Sequence, residues 1–247
     1  MTALLFAAYG VLSYLIFFAS FLYAIAFVGD LPAPKTINSG AAGELVPSLI
    51  VDGLLLGLFA IQHSVMARPA FKRIWTKIVP PPIERSTYVL FASLALVALY
   101  AFWRPLTQPI WTVAPGPLAT VLNGLFWVGW ATVLISTFLL SHFELFGLKQ
   151  VWDRMRRNPA GATEFRTPGF YRFVRHPIYL GFILAFWATP NMTLGHLVFA
   201  GATLGYILIA IQLEEHDLIG VFGERYRAYR TRAGMLWPKF GGGSKPG

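Results

Sequence analysis

The sequence predicts an all-α fold, a polytopic helical bundle in a membrane with about six transmembrane helices. Its 247 residues are 56% hydrophobic and only 13% charged, which is too apolar for an ordinary soluble domain. Several uncharged stretches are long enough to cross a bilayer as helices. Basic residues flank these stretches, so the net charge of +9 indicates contact with a lipid bilayer and its anionic head groups, and not with nucleic acid.

We expect a single domain over 1–247, with a four-span bundle in 1–141 and a loop, a helical hairpin and a basic tail in 142–247. The segments follow in this order: span Ala3–Val28, link Asp30–Glu44, span Leu45–Met66, basic segment Arg68–Arg85 ended as a helix by prolines, span Ser86–Trp103, link Arg104–Gly116, span Pro117–Ser141, polar region His142–Arg175, hairpin helices Pro177–Ala188 and Thr193–Asp217, and tail Gly220–Gly247. The hairpin forms either two spans or a short re-entrant pair.

Charge placement predicts the orientation of the chain. All but two of the 20 Lys and Arg lie in the loops 67–85 and 142–175 and in the tail. With six spans these three segments share one side of the membrane. The positive-inside rule then places that side, and both termini, in the cytoplasm. A five-span arrangement would separate the tail from the two loops, so the charge bias disfavours it.

The stretch Arg175–Gly181 joins an Arg-rich loop to an uncharged helix that begins at Pro177. Proline is well tolerated at the first helical position. The free amides of the first helical turn, together with Arg175 and His176, suit a bound anion. We therefore expect an anion site here, at the cytoplasmic membrane surface.

Other polar residues near the C-terminus allow two interpretations each. Glu214 and Glu215 end the last helix, either as a solvated helix end neutralised by arginines or as ligands for a polar or cationic group. The two side chains point about 100° apart, so they do not face the same ligand atom. Tyr226 and Tyr229 share a helix face, as an interfacial aromatic belt or as part of a site. Asp52 lies inside a span and is expected to have a structural partner.

Taken together, several motifs resemble the C-terminal signature of the isoprenylcysteine carboxyl methyltransferase superfamily, which also takes in bacterial phospholipid N-methyltransferases. They are Arg175-His176-Pro177-x-Tyr179-x-Gly181, the hydrophobic hairpin, Glu214-Glu215 and Gly223-Glu224-x-Tyr226-x-x-Tyr229. Two segments that precede this signature, Gln62–Pro69 and Phe143–Val151, resemble the group that includes NnrU-like proteins and methanethiol S-methyltransferases. With both, the resemblance spans most of the chain.

The resemblance implies an enzyme that uses S-adenosyl-L-methionine to methylate a small thiol, with methanethiol as the expected acceptor and dimethyl sulfide as the product. It also implies an integral protein of a bacterial inner membrane whose cofactor site faces the cytoplasm. The residues that it assigns to the cofactor are Arg175, His176, Pro177, Tyr179, Leu180, Gly181, Glu214, Glu215, Tyr226 and Tyr229. Arginine and histidine suit the cofactor carboxylate, a glutamate its hydroxyls or ammonium, and tyrosines its adenine or sulfonium.

Methylation of a thiol requires loss of its proton, because the thiolate is the stronger nucleophile. Candidates for the base, or for the group that stabilises the thiolate, are His63, His142 and Glu144. Each also has a structural alternative, as a satisfied polar residue of the bundle or its surface. His196 lies toward the opposite side and is expected to be uninvolved.

Absent residues and alternative families bound the remaining possibilities. Without cysteine, the chain has no disulfide, no thiolate metal site and no cysteine nucleophile, and its five histidines lack the spacing of a metal site. The alternatives are methyl transfer to prenylcysteine or a phospholipid, an NADPH-dependent reductase of the sterol type, and a non-enzymatic NnrU-like protein or transporter. The sequence leaves the acceptor and the oligomeric state open.

Overall fold

The structure is a computed structural model that describes residues 2–156 and 165–239. Parts of the predicted polar region, 157–164, and of the predicted tail, 240–247, lie outside the described residues. The elements, in chain order, are α1 Thr2–Val28, α2 Leu45–Ala67, α3 Pro69–Trp75, α4 Pro81–Phe102, β1 Pro109–Thr112, α5 Pro117–Leu140, α6 His142–Leu145, α7 Leu148–Arg156, a 3-10 turn Gly169–Arg172, α8 Pro177–Trp187, β2 Asn191–Thr193, α9 Leu194–Phe222 and α10 Glu224–Arg232. The predicted helical membrane bundle is confirmed.

Five of these helices are long and apolar enough to cross a membrane: α1, α2, α4, α5 and α9. The predicted sixth, α8, has only 11 residues and is therefore about 16 Å long, about half the thickness of the hydrocarbon core. The first helix of the predicted hairpin is therefore too short to span on its own. The two ends of the hairpin nevertheless meet, because Arg175 Nε donates to Glu215 Oε1. The predicted orientation of the chain, which was argued from six spans, stays a prediction.

Two helix boundaries differ from the sequence-based expectation. The helix α4 begins at Pro81, five residues before the predicted Ser86, because Pro81 and Pro82 occupy first-turn positions whose amides need no partner. The prolines that were expected only to end the helix of the basic segment therefore also begin the next helix, α4. The helix α9 continues to Phe222, beyond the predicted end at Asp217, and it ends where Gly223 adopts a positive φ of 55°.

The chain divides into two compact units. Unit 1 consists of Met1–Ala114, Ser141–Ala162 and Pro190–Phe199, and unit 2 consists of Pro115–Leu140, Thr163–Thr189 and Ala200–Gly247. Unit 1 holds α1 to α4, α6, α7, both strands and the start of α9. Unit 2 holds α5, α8, α10 and the rest of α9. The predicted division at residue 141 stays a prediction.

In unit 1, α4 lies between α1 and α2 as the central packing partner. The Tyr9 hydroxyl donates to Thr87 Oγ1 over 3.1 Å, which ties α1 to α4. The helix α7 packs against α1, where Val151 fills the space left by the missing side chain of Gly10. This contact requires glycine, since a Cβ there would lie 2.8 Å from Val151 Cγ2.

The link between α4 and α5 contains a strand that the sequence analysis missed. Strand β1 pairs antiparallel with β2, with Thr112 opposite Asn191. The start of α9 continues this connection, because Gly195 N donates to Leu106 O over 2.9 Å. Strands of three and four residues are too short to show an alternating pattern.

In unit 2, α5 and α8 pack closely along a glycine contact. A Cβ on Gly181 would lie 2.7 Å from Gly129 O, and one on Gly129 would lie 2.6 Å from Ala185 N. Trp130 of α5 also packs edge-on against Phe182 of α8. The two backbones can therefore approach closely only because both positions lack a side chain.

Asp52 is fully buried in α2, and its Oδ1 accepts a hydrogen bond from Arg104 N over 2.9 Å. The predicted structural partner of this acid is therefore a backbone amide in the link after α4. Asp52→Ala is expected to lower the free energy of unfolding by about 1–3 kcal/mol, because it leaves that amide unsatisfied. Asp52→Asn keeps an acceptor in place and is the matched control. Equal unfolding midpoints for the Ala and Asn variants would contradict this role.

Candidate functional site

A buried ion network in unit 2 surrounds Glu215, near the C-terminal end of α9. This end of the helix is predicted to face the cytoplasm. Its Oε1 accepts from Arg175 Nε over 2.6 Å and lies 3.1 Å from His176 Nε2, while its Oε2 lies 3.0 Å from Arg230 Nε. The side chains of Glu215, Arg175 and His176 are each less than a tenth exposed. A buried carboxylate is stable only when cations and donors surround it, and this one has three such partners.

Glu214, the neighbour of Glu215, takes a different position. Its Oε2 accepts from the Tyr179 hydroxyl over 3.0 Å and lies 3.7 Å from His176 Nδ1. The side chain remains 43% exposed. The expected divergence of the two glutamates is therefore observed: one is enclosed by cations, and the other presents a carboxylate oxygen toward open space.

The last described residues fold back on the loop before α8. The guanidinium of Arg175 donates from Nη1 to Ala233 O over 2.6 Å, and its backbone N donates to Gly234 O over 2.8 Å. His176 N donates to Met235 O over 3.2 Å. Arg175 thus joins α8, α9 and the segment after α10, and most of its donors are used within the protein.

Four aromatic rings meet beside this network. Phe165 contacts Phe222, Tyr226 and Tyr229, with ring centroids 5.2, 5.9 and 5.4 Å apart respectively. Tyr226 and Tyr229 contact each other, and the Tyr229 hydroxyl donates to Tyr171 O. The two tyrosines therefore face inward in an aromatic cluster rather than forming a belt at the membrane surface. Tyr226 is enclosed, whereas Tyr229 is half-buried and keeps part of its ring accessible.

Burial raises the pKa of Tyr229 to about 12, above its ordinary value near 10. Since the folded pKa exceeds the unfolded one, the contribution of this residue to stability is complete below pH 10 and is lost as the pH rises from 10 through 12. Unfolding midpoints of the wild type and of Tyr229→Phe, measured from pH 8 to 12, test this. Above pH 10 the unfolding midpoint of the wild type should fall relative to that of Tyr229→Phe. Midpoints that change in parallel with pH in the two proteins would contradict the prediction.

The structure brings all ten residues expected to hold a cofactor into unit 2. Pro177 is buried at the first position of α8, and Leu180 N donates to His176 O over 3.1 Å. Gly181 faces α5, so its missing side chain serves helix packing. The other seven lie in the Glu215 network, beside Glu214, or in the aromatic cluster.

The three candidate bases lie in unit 1, His63 on α2 and both His142 and Glu144 on α6. The Tyr88 hydroxyl lies 2.9 Å from His63 Nε2, and the Tyr14 hydroxyl lies 2.9 Å from His142 Nε2. Burial lowers the pKa of His142, which keeps its ring neutral at pH 7. The side chain of Glu144 is exposed. His196, which was expected to be uninvolved, is buried near β2, where its backbone N donates to Thr193 Oγ1.

Three residues of these sites were not found by the sequence analysis: Phe165, Tyr171 and Tyr88. Arg230 was expected, with Arg225 and Arg227, as one of the arginines that could neutralise the acidic helix end, and it is the one that pairs with Glu215. Tyr88 lies three residues after Arg85, and only the fold brings its hydroxyl to His63. Among the described residues, no group of three or more His, Asp or Glu could hold a metal ion.

Comparison with known proteins identifies the family. Residues 65–233 match the model of a family described as a protein of unknown function (DUF1295). Methanethiol S-methyltransferase of Mycobacterium tuberculosis is 54% identical over 230 residues, which cover 93% of this chain and 94% of that protein. Methanethiol S-methyltransferase 1 of Bradyrhizobium diazoefficiens is also 54% identical, over 93% of this chain and 81% of that protein.

The chain belongs to the methanethiol S-methyltransferase family. It is accordingly a membrane methyltransferase. A more distant relative, Nurim of Danio rerio, is 27% identical over 183 residues, which cover 71% of this chain and 66% of that protein. No solved structure shows a significant match to the chain. The match to the DUF1295 family includes every residue of the Glu215 network and of the aromatic cluster.

Proposed function

We propose that this member of the methanethiol S-methyltransferase family transfers a methyl group from S-adenosyl-L-methionine to methanethiol and releases dimethyl sulfide. The observation that carries the proposal is the Glu215 network in unit 2, beside which the 43% exposed Glu214 carboxylate is accessible to a ligand. The names of the family members support the acceptor. The protein would be an integral protein of a bacterial inner membrane, with this site facing the cytoplasm; the placement of the basic loops supports that orientation.

The residues present fit the proposed cofactor. Its ammonium and ribose hydroxyls are donors, and the half-exposed Glu214 carboxylate is an acceptor beside Tyr179. Its adenine and sulfonium suit the half-buried ring of Tyr229, which the enclosed Tyr226 supports from within. When bound, the cofactor supplies an electrophilic methyl group on a positively charged sulfur.

The chain itself would contribute binding and alignment. Arg175, His176 and Glu215 hold the start of α8, the end of α9 and the last described segment in one arrangement. Because the Arg175 guanidinium is already bonded to Glu215 and to backbone carbonyls, we assign it the role of organising the site. Glu214 and Tyr179 are the side chains that would contact the cofactor. Holding two reactants in line is the main catalytic lever of such a transfer.

Purified protein in lipid nanodiscs tests the proposal directly. Calorimetry with S-adenosylhomocysteine should show binding, and incubation with S-adenosylmethionine and methanethiol should release dimethyl sulfide, measured by gas chromatography of the headspace. A panel with prenylcysteine, phosphatidylethanolamine and NADPH separates the alternatives. Binding of the cofactor with product from prenylcysteine or the phospholipid alone would overturn the acceptor. Stabilisation of the protein by NADPH, with no binding of S-adenosylhomocysteine, would overturn the assignment of the cofactor.

A further inference from the structure

Unit 2 also carries an exposed aromatic surface, formed by the loop before α8 and by the last described segment, 233–239. The Trp237 side chain is 80% exposed, and Phe170 and Phe173 are exposed as well. Arg172 and Lys239 are exposed near them in the sequence. We call these five residues the Trp237 surface. Large aromatic side chains are normally enclosed, so three exposed ones together with two cations indicate an interaction surface.

Backbone hydrogen bonds hold the two parts of the Trp237 surface together. Gly234 N and Lys239 N both donate to Phe173 O, over 3.0 and 3.3 Å. The chain between them turns tightly, since a Cβ on Gly234 would collide with Trp237 O. Phe170 and Phe173 are three residues apart around a 3-10 turn, which places both on one side of it. Trp237 therefore extends from a turn that is fixed to Phe173.

The end of the membrane span α5 indicates the depth of the Trp237 surface. The 3-10 turn lies against the last turn of α5, because a Cβ on Gly169 would lie 2.8 Å from Leu139 Cδ1. In the same place, the Tyr171 hydroxyl donates to Ser136 O over 3.5 Å. The helix α5 is long and apolar enough to cross the membrane. The surface therefore lies at the level where the chain leaves the hydrocarbon core.

We propose that the Trp237 surface inserts into the head-group region of the membrane and binds anionic phospholipid there. Tryptophan favours this region, because its ring is apolar and its N–H is polar. Phenylalanine is typical of the apolar side of segments that lie in the interface, with basic residues on the polar side. Arg172 and Lys239 complement the charge of the lipid phosphates, and the surface includes no acid.

The segment that carries Trp237 also holds the proposed cofactor site together. Ala233 O accepts from Arg175 Nη1 over 2.6 Å, and Gly234 O accepts from Arg175 N over 2.8 Å. Insertion of Trp237 stabilises this arrangement, because the ring and the two carbonyls belong to one short segment that is fixed at Phe173. Lipid contact thereby raises the fraction of molecules that are competent to bind the cofactor. This consequence rests on the proposed function, and the insertion itself does not.

A nitroxide label measures the insertion. The chain has no cysteine, so Trp237→Cys introduces a single labelling site. In nanodiscs, collisions of the label with oxygen should be frequent and those with a water-soluble nickel complex rare, as in the head-group region. A label on Glu224→Cys, at an exposed residue of α10, is the reference and should collide freely with the nickel complex. Equal exposure of the two labels to the nickel complex would overturn the insertion.

Calorimetry with S-adenosylhomocysteine tests the class of lipid. The wild type should bind about fivefold more tightly in nanodiscs that contain phosphatidylglycerol than in phosphatidylcholine alone, because cations near an anionic membrane surface favour the inserted form. The double variant Arg172→Gln, Lys239→Gln should bind equally in both lipids. A wild type whose affinity is independent of lipid charge, or a double variant that keeps the whole difference, would overturn the role of anionic phospholipid.

The effect of the ring on the cofactor site has its own variants. Trp237→Ala should weaken S-adenosylhomocysteine binding about tenfold, because it removes the apolar area that inserts, and Trp237→Phe should recover most of that loss. Trp152→Ala is the matched control, since Trp152 is also an exposed tryptophan but lies on α7 in unit 1. Its affinity should equal that of the wild type. An equal loss in the two alanine variants would overturn the link between Trp237 and the cofactor site.

The two proposals fail differently in these measurements. A wild type whose Trp237 label is inserted, but which binds no S-adenosylhomocysteine in either lipid, would defeat the proposed function and leave the insertion standing. A wild type that binds S-adenosylhomocysteine while the label remains in water would defeat the inference about the Trp237 surface alone. A label shielded from both reagents, in a protein that is dimeric by mass photometry, would identify a second copy of the chain as the partner and would also overturn it.

Discussion

Glu215→Gln is expected to lower the free energy of unfolding by about 3–5 kcal/mol and to abolish binding of S-adenosylhomocysteine. The substitution keeps the shape of the side chain and removes its charge. Arg175, whose side chain is 8% exposed, would then be a buried cation without its carboxylate. His176 and Arg230 would lose the same partner. Chemical unfolding and calorimetry, both in detergent, measure the two effects.

The loss of S-adenosylhomocysteine binding in Glu215→Gln follows from the position of the Glu215 network. Arg175 binds Glu215 and the carbonyls of Arg230 and Ala233. Once the carboxylate is gone, the contacts that hold the last described segment to the loop before α8 weaken together. Tyr226 and Tyr229 precede that segment on α10, so the aromatic cluster loses its alignment with Glu214. A loss of stability with intact cofactor affinity would contradict this linkage.

Glu224→Gln is the matched control for the same chemical change. The side chain of Glu224 is 83% exposed and pairs with Arg227 one turn further along α10. An exposed ion pair contributes little, so this variant should differ from the wild type by less than about 0.5 kcal/mol. The double variant Arg175→Gln, Glu215→Gln should recover part of the loss, because it removes both buried charges at once. Additive losses would mean that the two residues do not act as a pair.

The sequence analysis identified both members of the Arg175–Glu215 pair but assigned each to a different group of the cofactor. Forty positions separate the two residues along the chain, and no local pattern indicates that they bond to each other. The same limit applies to His63 and Tyr88. Residue type and helix phase predict which side chains are polar and which way they diverge, as they did for Glu214 and Glu215. Which of them becomes enclosed depends on tertiary packing.

The fold was predictable where long apolar stretches determine it. The spans α1, α2, α4, α5 and α9 follow from hydropathy alone, because a helix satisfies its own backbone in lipid. The short helix α8 was recognised as the start of a hairpin, and its length left the crossing open. The β1–β2 pair lies in a link rich in proline and in a tight turn, where composition predicts only a loop.

Gly181→Ala is expected to destabilise the protein by about 2–3 kcal/mol, because the added methyl group overpacks the contact between α5 and α8. Its Cβ would lie 2.7 Å from Gly129 O and 2.9 Å from Val133 N, and backbone atoms cannot move aside independently of their helix. The helix α8 would shift, and with it Tyr179 and His176 at its start. We therefore expect a lower kcat and weaker cofactor binding as well as a lower unfolding midpoint.

The glycines of α5 supply the controls that make this prediction specific. Gly129→Ala should be as harmful as Gly181→Ala, because its Cβ would lie 2.6 Å from Ala185 N across the same contact. Gly124→Ala lies on the same helix, with no atom within 4 Å of its Cβ. It should be neutral or stabilising by up to about 1 kcal/mol, since alanine favours the helix. If Gly124→Ala and Gly181→Ala lowered the midpoint equally, glycine flexibility within the helices, and not the close approach of two backbones, would explain the loss.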